Sequence, residues 1–352
     1  MSLREKYTPT KRETTGLKVS EVEEQNDGRP TVLHCGITAP TYSSVGISNA
    51  WRQNGYNVSY FNWQQLRFDT GIEGMRERLI VKTKTEQPDV VFLHIQNEGV
   101  IDIDTAKELS KYSFVINYTF DIRGKERTEW MYELAPHIGL TVFGCYDDYE
   151  IAIERGIKNV MYCHSSCDPD MYRKLDLPES ITKGVPEIVF VGNNTSKSNL
   201  NFEEANERVR MVEFLQKEYG DRFKAYGMGW GNGSKMINNQ DKINIYNSCK
   251  IAITQNQFFR TSYQSDRCWE ILSCGTFAAV QGYPWIDKDL EDGTDCAVWD
   301  NLHELKLIID HFVDNNDTQR NIIAARGCLT FHNKHMWRHR IEEILKSVKQ
   351  FK

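Results

Sequence analysis

The chain has 352 residues, 40% of them apolar and 11% aromatic, with nine cysteines and a formal net charge of −6. That length exceeds what one core usually organises, so two domains are expected, and the acidic total supplies no global pull toward nucleic acid. The cysteines are odd in number and lack the paired spacing of a zinc site, and no apolar run approaches the roughly 20 residues that span a bilayer, which argues against a disulfide scaffold and a membrane-spanning chain.

Residues 1–28 read as a polar arm, with lysines and arginines offset by glutamates and no apolar periodicity. Its Thr, Lys and Glu stand where a signal peptide would be apolar, so reduced thiols and a cytoplasmic location are expected. A first domain spans 29–180. It opens at Pro30-Thr-Val-Leu-His-Cys-Gly-Ile37, a strand entering a glycine turn, followed by a helix through Trp51 and a strand at Tyr56–Phe61, which makes a βαβ unit. Strands at Asp89–His94, Phe114–Tyr118, Leu140–Phe143 and Asn159–Tyr162 continue the alternation.

The pattern restarts after a Pro, Ser and Gly join near 178–184. Pro186-Glu-Ile-Val-Phe-Val-Gly-Asn193 is a second strand and glycine turn, then come a helix near Arg208 and a strand ending in Tyr226-Gly-Met-Gly-Trp-Gly231. A second domain over 185–335 follows, with an amphipathic helix over 336–352 (Trp337, Ile341, Ile344, Leu345, Val348) packing back toward the first. The fold class is α/β, two Rossmann-like domains facing across a cleft. Strands of this kind bind ligands beyond their carboxyl ends, so the cleft would bring a donor and an acceptor together.

The densest motif is Asp266-Arg-Cys-Trp-Glu-Ile-Leu-Ser-Cys-Gly-Thr276. Arg267 and Glu270 share one helix face, where the cation suits a diphosphate and the carboxylate suits ribose hydroxyls, while Gly275 and Thr276 would let the backbone approach a ligand. An ordinary ion-paired helix ended by a glycine cap is the alternative. Gly192 and Asn193 would offer backbone N–H groups to a phosphate.

Together with Ile245–Thr254, Asp287–Asp300 and Asn321–Gly327, this series resembles the carboxyl-terminal half of GT-B glycosyltransferases, especially the spore-maturation-protein-like and group 1 branches. The resemblance covers residues 185–350 well and the first half loosely. It implies a nucleotide-diphosphate-sugar donor, a hydroxyl acceptor, and no protein-held metal, the leaving diphosphate being stabilised by basic groups and helix N-termini. Arg208 resembles the arginine that opens the family's next helix, with Lys197 a rival for the phosphate. Gly227–Gly231 resembles the loop around the nucleotide base, with Trp230 either its wall or a core aromatic. Many retaining members carry a glutamate eight positions before the one matched by Glu270, but here that position is Ser262; sugar contacts would then pass to Gln257, Arg260, Ser262 or Tyr263.

For acceptor chemistry, His94 and Glu98 leave one strand end and Asp121 the next. Asp121 is the first choice of base, resembling the Asp-x-Arg of related, often phage-borne, sequences; an Asx turn and a core histidine are the alternative roles of Asp121 and His94. His164, before Asp168-Pro-Asp170, matches a hinge segment, and Asp102-Ile-Asp104 reads as a helix cap. Two other functions fit the sequence. One is a phage-type glycosyltransferase with a modified DNA base as acceptor, which would need basic residues and exposed aromatics such as Trp51, Trp63 or Trp130 around the cleft. The other is a noncatalytic nucleotide-sugar-binding protein.

Overall fold

The computed structural model describes residues 27–37, 44–119, 129–198, 202–231 and 234–351. The first half contains, in chain order, β1 (Thr31–Gly36), α1 (Ser44–Gln53), β2 (Asn57–Asn62), α2 (Trp63–Glu86), β3 (Val90–Leu93), α3 (Ile103–Leu109), β4 (Phe114–Thr119), α4 (Glu129–Leu134), β5 (Leu140–Phe143), α5 (Tyr146–Glu154) and β6 (Val160–Tyr162). The second contains α6 (Glu179–Thr182), β7 (Ile188–Val191), α7 (Ala205–Tyr219), β8 (Phe223–Tyr226), α8 (Asn239–Ser248), β9 (Ile251–Thr254), α9 (Asp266–Ser273), β10 (Phe277–Gln281), β11 (Ala297–Trp299), α10 (Leu302–Ile309), α11 (Asp317–Thr330) and α12 (Trp337–Phe351).

Two parallel sheets result, ordered β2-β1-β3-β4-β5-β6 and β11-β10-β9-β7-β8. The strands explain why: β3, β5, β7 and β9 are buried at every position, as required when helices cover both faces. Alternate residues then serve opposite cores. Val32, Phe92, Ile116 and Leu140 pack with α1 and α12, whereas Leu33, Val91, Leu93 and Val115 pack with α2 and α3. In the second sheet, Val189, Ala252 and Val280 face α8 and α9, and Ile188, Ile253 and Ala279 face α7, α10 and α11.

In both sheets the order reverses beside the first strand, between β1 and β3 and between β7 and β9. At such a switch the flanking loops diverge and leave a crevice beyond the carboxyl ends. The chain crosses between the halves along Cys163–Val185 and returns through a π-helical turn at Phe331–His335 into α12. That last helix packs on α1 and buries Trp337, Ile341, Ile344 and Val348 in the first core, each worth on the order of 1.5–3 kcal/mol against full exposure. Asp102 caps α3 through a 2.7 Å hydrogen bond from the Thr105 amide and pairs with Arg76.

Candidate functional site

The second switch point is built around two arginines. Arg208, in the first turns of α7, is fully buried, and its Nη2 donates to the Gln255 carbonyl at 2.8 Å, Nη1 to the Asn193 carbonyl at 3.3 Å, and Nε to Gln255 Oε1 at 3.4 Å. Arg267, in the first turn of α9, donates from Nη2 to the same Gln255 oxygen at 3.3 Å, while its buried Nε makes no hydrogen bond. Among the described residues no carboxylate pairs with either guanidinium. Burial, then the Arg267 charge beside it, pushes Arg208 down to about 9. It remains a cation at neutral pH, so two like charges meet at the end of β9, one fully and the other partly buried, an arrangement that an anion would relieve. Lys197 is exposed on the loop above.

The Gly192–Asn193 turn lies against the Gly227–Gly231 loop. Gly192 N donates to the Tyr226 carbonyl at 2.8 Å, Asn193 Oδ1 accepts from the Met228 amide at 2.9 Å, and Asn194 N donates to the Met228 carbonyl at 2.8 Å. Gly227 is required here: at φ 132° it is left-handed, and a Cβ would stand 2.4 Å from the Gly192 oxygen. Trp230 is half-buried, donates from Nε1 to the Gly192 carbonyl at 2.6 Å and packs edge-on to Phe190 at 6.2 Å, so it braces the turn.

Glu270 lies one turn along α9 from Arg267. It is 3% exposed and forms an ion pair with Lys242 of α8; burial raises its carboxyl pKa, partly offset by Lys242. The expectation for Gly275 and Thr276 is corrected. Because β9 and β10 are parallel, α9 runs back along the sheet, and its end reaches the amino edge, where Gly275 and Thr276 line a 140 Å³ hollow with Lys174, Cys249 and Arg320. Gly275, at φ 66°, is a helix cap whose amide donates to the Leu272 carbonyl at 2.9 Å, and Thr276 Oγ1 donates to the Tyr246 carbonyl at 2.6 Å.

The loop after β9 is tied to both domains. Arg260 pairs with Glu203 and lies 3.9 Å from Asp147, and the Thr261 amide donates to Asp147 Oδ1 at 3.3 Å. Tyr263 is half-buried against Cys145 and Phe258. Ser262 takes a left-handed φ of 49°; its amide donates to the Pro284 carbonyl at 2.9 Å, its own carbonyl accepts from Tyr162 Oη at 2.6 Å, and its hydroxyl lies 3.3 Å from His164 Nε2. His164 Nε2 is also 2.9 Å from Asp289 Oδ2, which accepts from Tyr283 Oη at 2.9 Å. His335 stacks on Trp269 at 4.4 Å, donates from Nε2 to the Asp289 carbonyl at 3.1 Å, and accepts from Arg340 at 2.8 Å.

Across the cleft, His94 follows β3, is 8% exposed, and is lowered by burial to about 4; Glu98 is exposed four residues on. Asp121 lies outside the described residues. The structure adds a cluster that sequence reasoning missed. His34 of β1 is fully buried, with Nδ1 2.8 Å from Ser48 Oγ, and burial, then the charges of His94 and Arg52, hold its imidazole well below the usual range. The site a Cβ would occupy on Gly36 is 2.9 Å from both Ser44 Oγ and Tyr60 Oη and 3.0 Å from His34 Nε2. Three polar groups from three elements therefore converge under the Gly36 turn, and Ser44 Oγ lies 3.5 Å from His94 Nδ1. The only signal in the sequence was a histidine inside an apolar strand.

The aromatic residues that a DNA acceptor would need are not exposed in the way expected: Trp51 and Trp63 are 0% and 3% exposed and belong to the two cores. Trp130 is partly buried against the core that holds Trp63 and the smaller one built by α4 and α5.

Comparison with known proteins agrees with this geometry. Residues 208–346 match the family model described as glycosyl transferase-like. Among solved structures, HepE of Anabaena in complex with UDP and glucose superposes with a TM-score of 0.60 at 12% identity, covering 91% of this chain and 100% of that one. The fold is GT-B. A glycosyltransferase of Rickettsia africae ESF-5 gives a TM-score of 0.60 at 12% identity over 92% of this chain and 98% of its own. The α,α-trehalose 6-phosphate synthase of Burkholderia multivorans gives 0.61 at 8% identity, also over 92% and 98%. No curated protein matches the sequence. Among the described residues, no helix is long and apolar enough to cross a membrane.

Proposed function

We propose that the protein is a glycosyltransferase that moves a hexosyl or pentosyl group from a nucleoside diphosphate sugar to a hydroxyl, within the spore-maturation-protein-like branch that its motifs resemble. The observation that carries this reading is the pair of Arg208, fully buried, and Arg267, partly buried, at the switch point with no carboxylate partner among the described residues, beside the Gly192–Asn193 turn and in the segment that matches a glycosyl transferase-like model. As the bond from the sugar to the diphosphate breaks, negative charge gathers on the leaving phosphate. Fixed cations in a site sheltered from water stabilise that charge without reorganising, an effect typically worth about 10²–10³ in rate per donor.

On the acceptor side His94, held neutral, is free of charge at physiological pH, and a bound diphosphate would favour its protonated form. Asp121 remains the proposed base, with His94 and Glu98 its rivals. Glu270 is proposed to reach the ribose by exchanging Lys242 for a hydroxyl. The Gly227–Gly231 loop would enclose the base, and no protein-held metal enters this scheme.

Calorimetric titration with UDP, GDP, ADP and their sugar conjugates, followed by mass spectrometry of products from a panel of hydroxyl acceptors, tests the reading. Micromolar binding of one nucleoside diphosphate and transfer of its sugar are expected. Binding of no nucleotide removes it, and binding with no transfer to any acceptor leaves the noncatalytic alternative.

A further inference from the structure

A group of aromatic side chains lies where the loops following β5 and β10 meet across the cleft, and the proposed mechanism does not use them. Tyr146 opens α5, and its ring sits 4.6 Å from that of Trp285 at 60°, 5.6 Å from Tyr149 and 5.5 Å from Tyr162. Trp285 is 38% exposed and belongs to the other domain. Its φ of 71° is left-handed, a conformation that a bulky residue seldom adopts and that glycine would take without strain. The cluster is fixed to the loop after β9: Pro284, next to Trp285, accepts from the Ser262 amide, and Asp147, next to Tyr146, accepts from the Thr261 amide. Phe259, 52% exposed, stands on the same loop.

Two observations bear on what this surface would hold. Lys288 Nζ rests 3.4 Å from the centre of the Trp285 ring, so a positive group already lies over an electron-rich face of a side chain that is partly open to solvent. Lys288 is exposed, and a cation–π contact at an exposed site is weak and readily exchanged. The C–H face of a pyranose presents the same electropositive surface. Asp147 and Asp148 follow Tyr146 on α5, Asp147 accepting from the Thr261 amide and Asp148 from Tyr132 Oη, and Asp287 is two residues beyond Trp285, whereas Arg260 is already engaged by Glu203 and Asp147. That balance disfavours a polyphosphate, and carboxylates accept well from sugar hydroxyls.

We propose that Trp285 and Tyr146 form an acceptor subsite for an uncharged saccharide, one ring stacking on Trp285 with its hydroxyl edge toward the carboxylates of α5. This assignment rests on the glycosyltransferase reading and names the acceptor class as carbohydrate. It is a binding role: neither aromatic touches the reacting atoms.

The test uses the full chain, with tryptophan fluorescence and calorimetry to follow maltotetraose, cellotetraose, chitotetraose, mannotetraose and a 20-base-pair DNA duplex, and UDP titrated in parallel. Trp285→Gly keeps the left-handed backbone without strain, so thermal stability should hold or rise while saccharide affinity falls tenfold or more and UDP affinity is unchanged. Tyr146→Ala should lower saccharide affinity in the same direction. The inference is overturned if no tetrasaccharide binds at millimolar concentration, if Trp285→Gly binds it as tightly as the parent, or if the duplex binds and its affinity depends on Trp285. Loss of UDP binding in the parent would instead count against the donor site, which these variants leave untouched.

Discussion

At the scale of single residues, the paired arginines carry an unusual electrostatic cost. Each is held by carbonyl groups and neither is neutralised by a carboxylate among the described residues, so ligand binding and stability are linked. A nucleoside diphosphate at 100 times its Kd should stabilise the protein by about 2.7 kcal/mol, seen as a rise in Tm. Arg267→Ala should weaken that ligand by about 1.5–3 kcal/mol, roughly tenfold to a hundredfold, and shrink the Tm rise accordingly. An undiminished shift in the variant would remove Arg267 from the site. Glu270 and Lys242 form the opposite case, an ion pair in which the partly buried Lys242 engages Oε1 of a buried carboxylate whose Oε2 makes no hydrogen bond. Lys242→Met should cost about 3–5 kcal/mol in denaturant unfolding by leaving a carboxylate alone, and adding Glu270→Met should recover most of it. If the single variant is as stable as the parent, the carboxylate has another partner. His94 adds a pH dependence. Its folded pKa of about 4 lies below the ordinary 6.5 of an unfolded chain, so its contribution is fully present above pH 6.5 and is lost as pH falls toward 4. The parent should lose roughly 3 kcal/mol more than His94→Asn between pH 7 and pH 4, measured by urea unfolding; parallel curves would show that His94 titrates normally.

At the scale of elements, the strands were legible because parallel sheets covered on both faces must be built from apolar runs, and runs such as Val90–Leu93 and Ile188–Val191 have few other uses. The cap of α3 by Asp102 was legible for the same local reason. Gly275 and Thr276 show where local reading stops. A glycine after a helix looks the same at either edge of a sheet, and only the parallel pairing of β9 with β10 shows that α9 must end away from the cleft. The cluster of His34, Ser44 and Tyr60 was hidden because three elements supply it, and the Glu270–Lys242 pair because its partners are 28 residues apart. Helix α12 tests packing at this scale. Ile341 is wholly buried against the first core, so Ile341→Ala should cost about 2–5 kcal/mol, read from chemical denaturation. A change below 1 kcal/mol would mean that α12 is not integral to that core.

At the scale of the whole molecule, the two stretches of chain that pass between the domains touch each other. Ser166 of the outgoing stretch donates to the carbonyl of His335 on the returning one, His164 of the outgoing stretch bonds Asp289, and His335 holds that same residue's carbonyl. A single connector would work as a ball joint, whereas two connectors pinned together work as a door hung on a fixed axis, free to swing and unable to twist. The cleft should therefore open along one arc. Spin labels paired across the mouth should show a broad distance distribution that narrows with UDP, and labels placed beside Ser166 and His335 should give one narrow distance under both conditions. If the latter pair also broadens, the axis is not fixed. A fixed axis means that the loop after β9 and the facing surface of the first domain return to the same alignment at each closure, so reach across the gap is set by hinge angle alone.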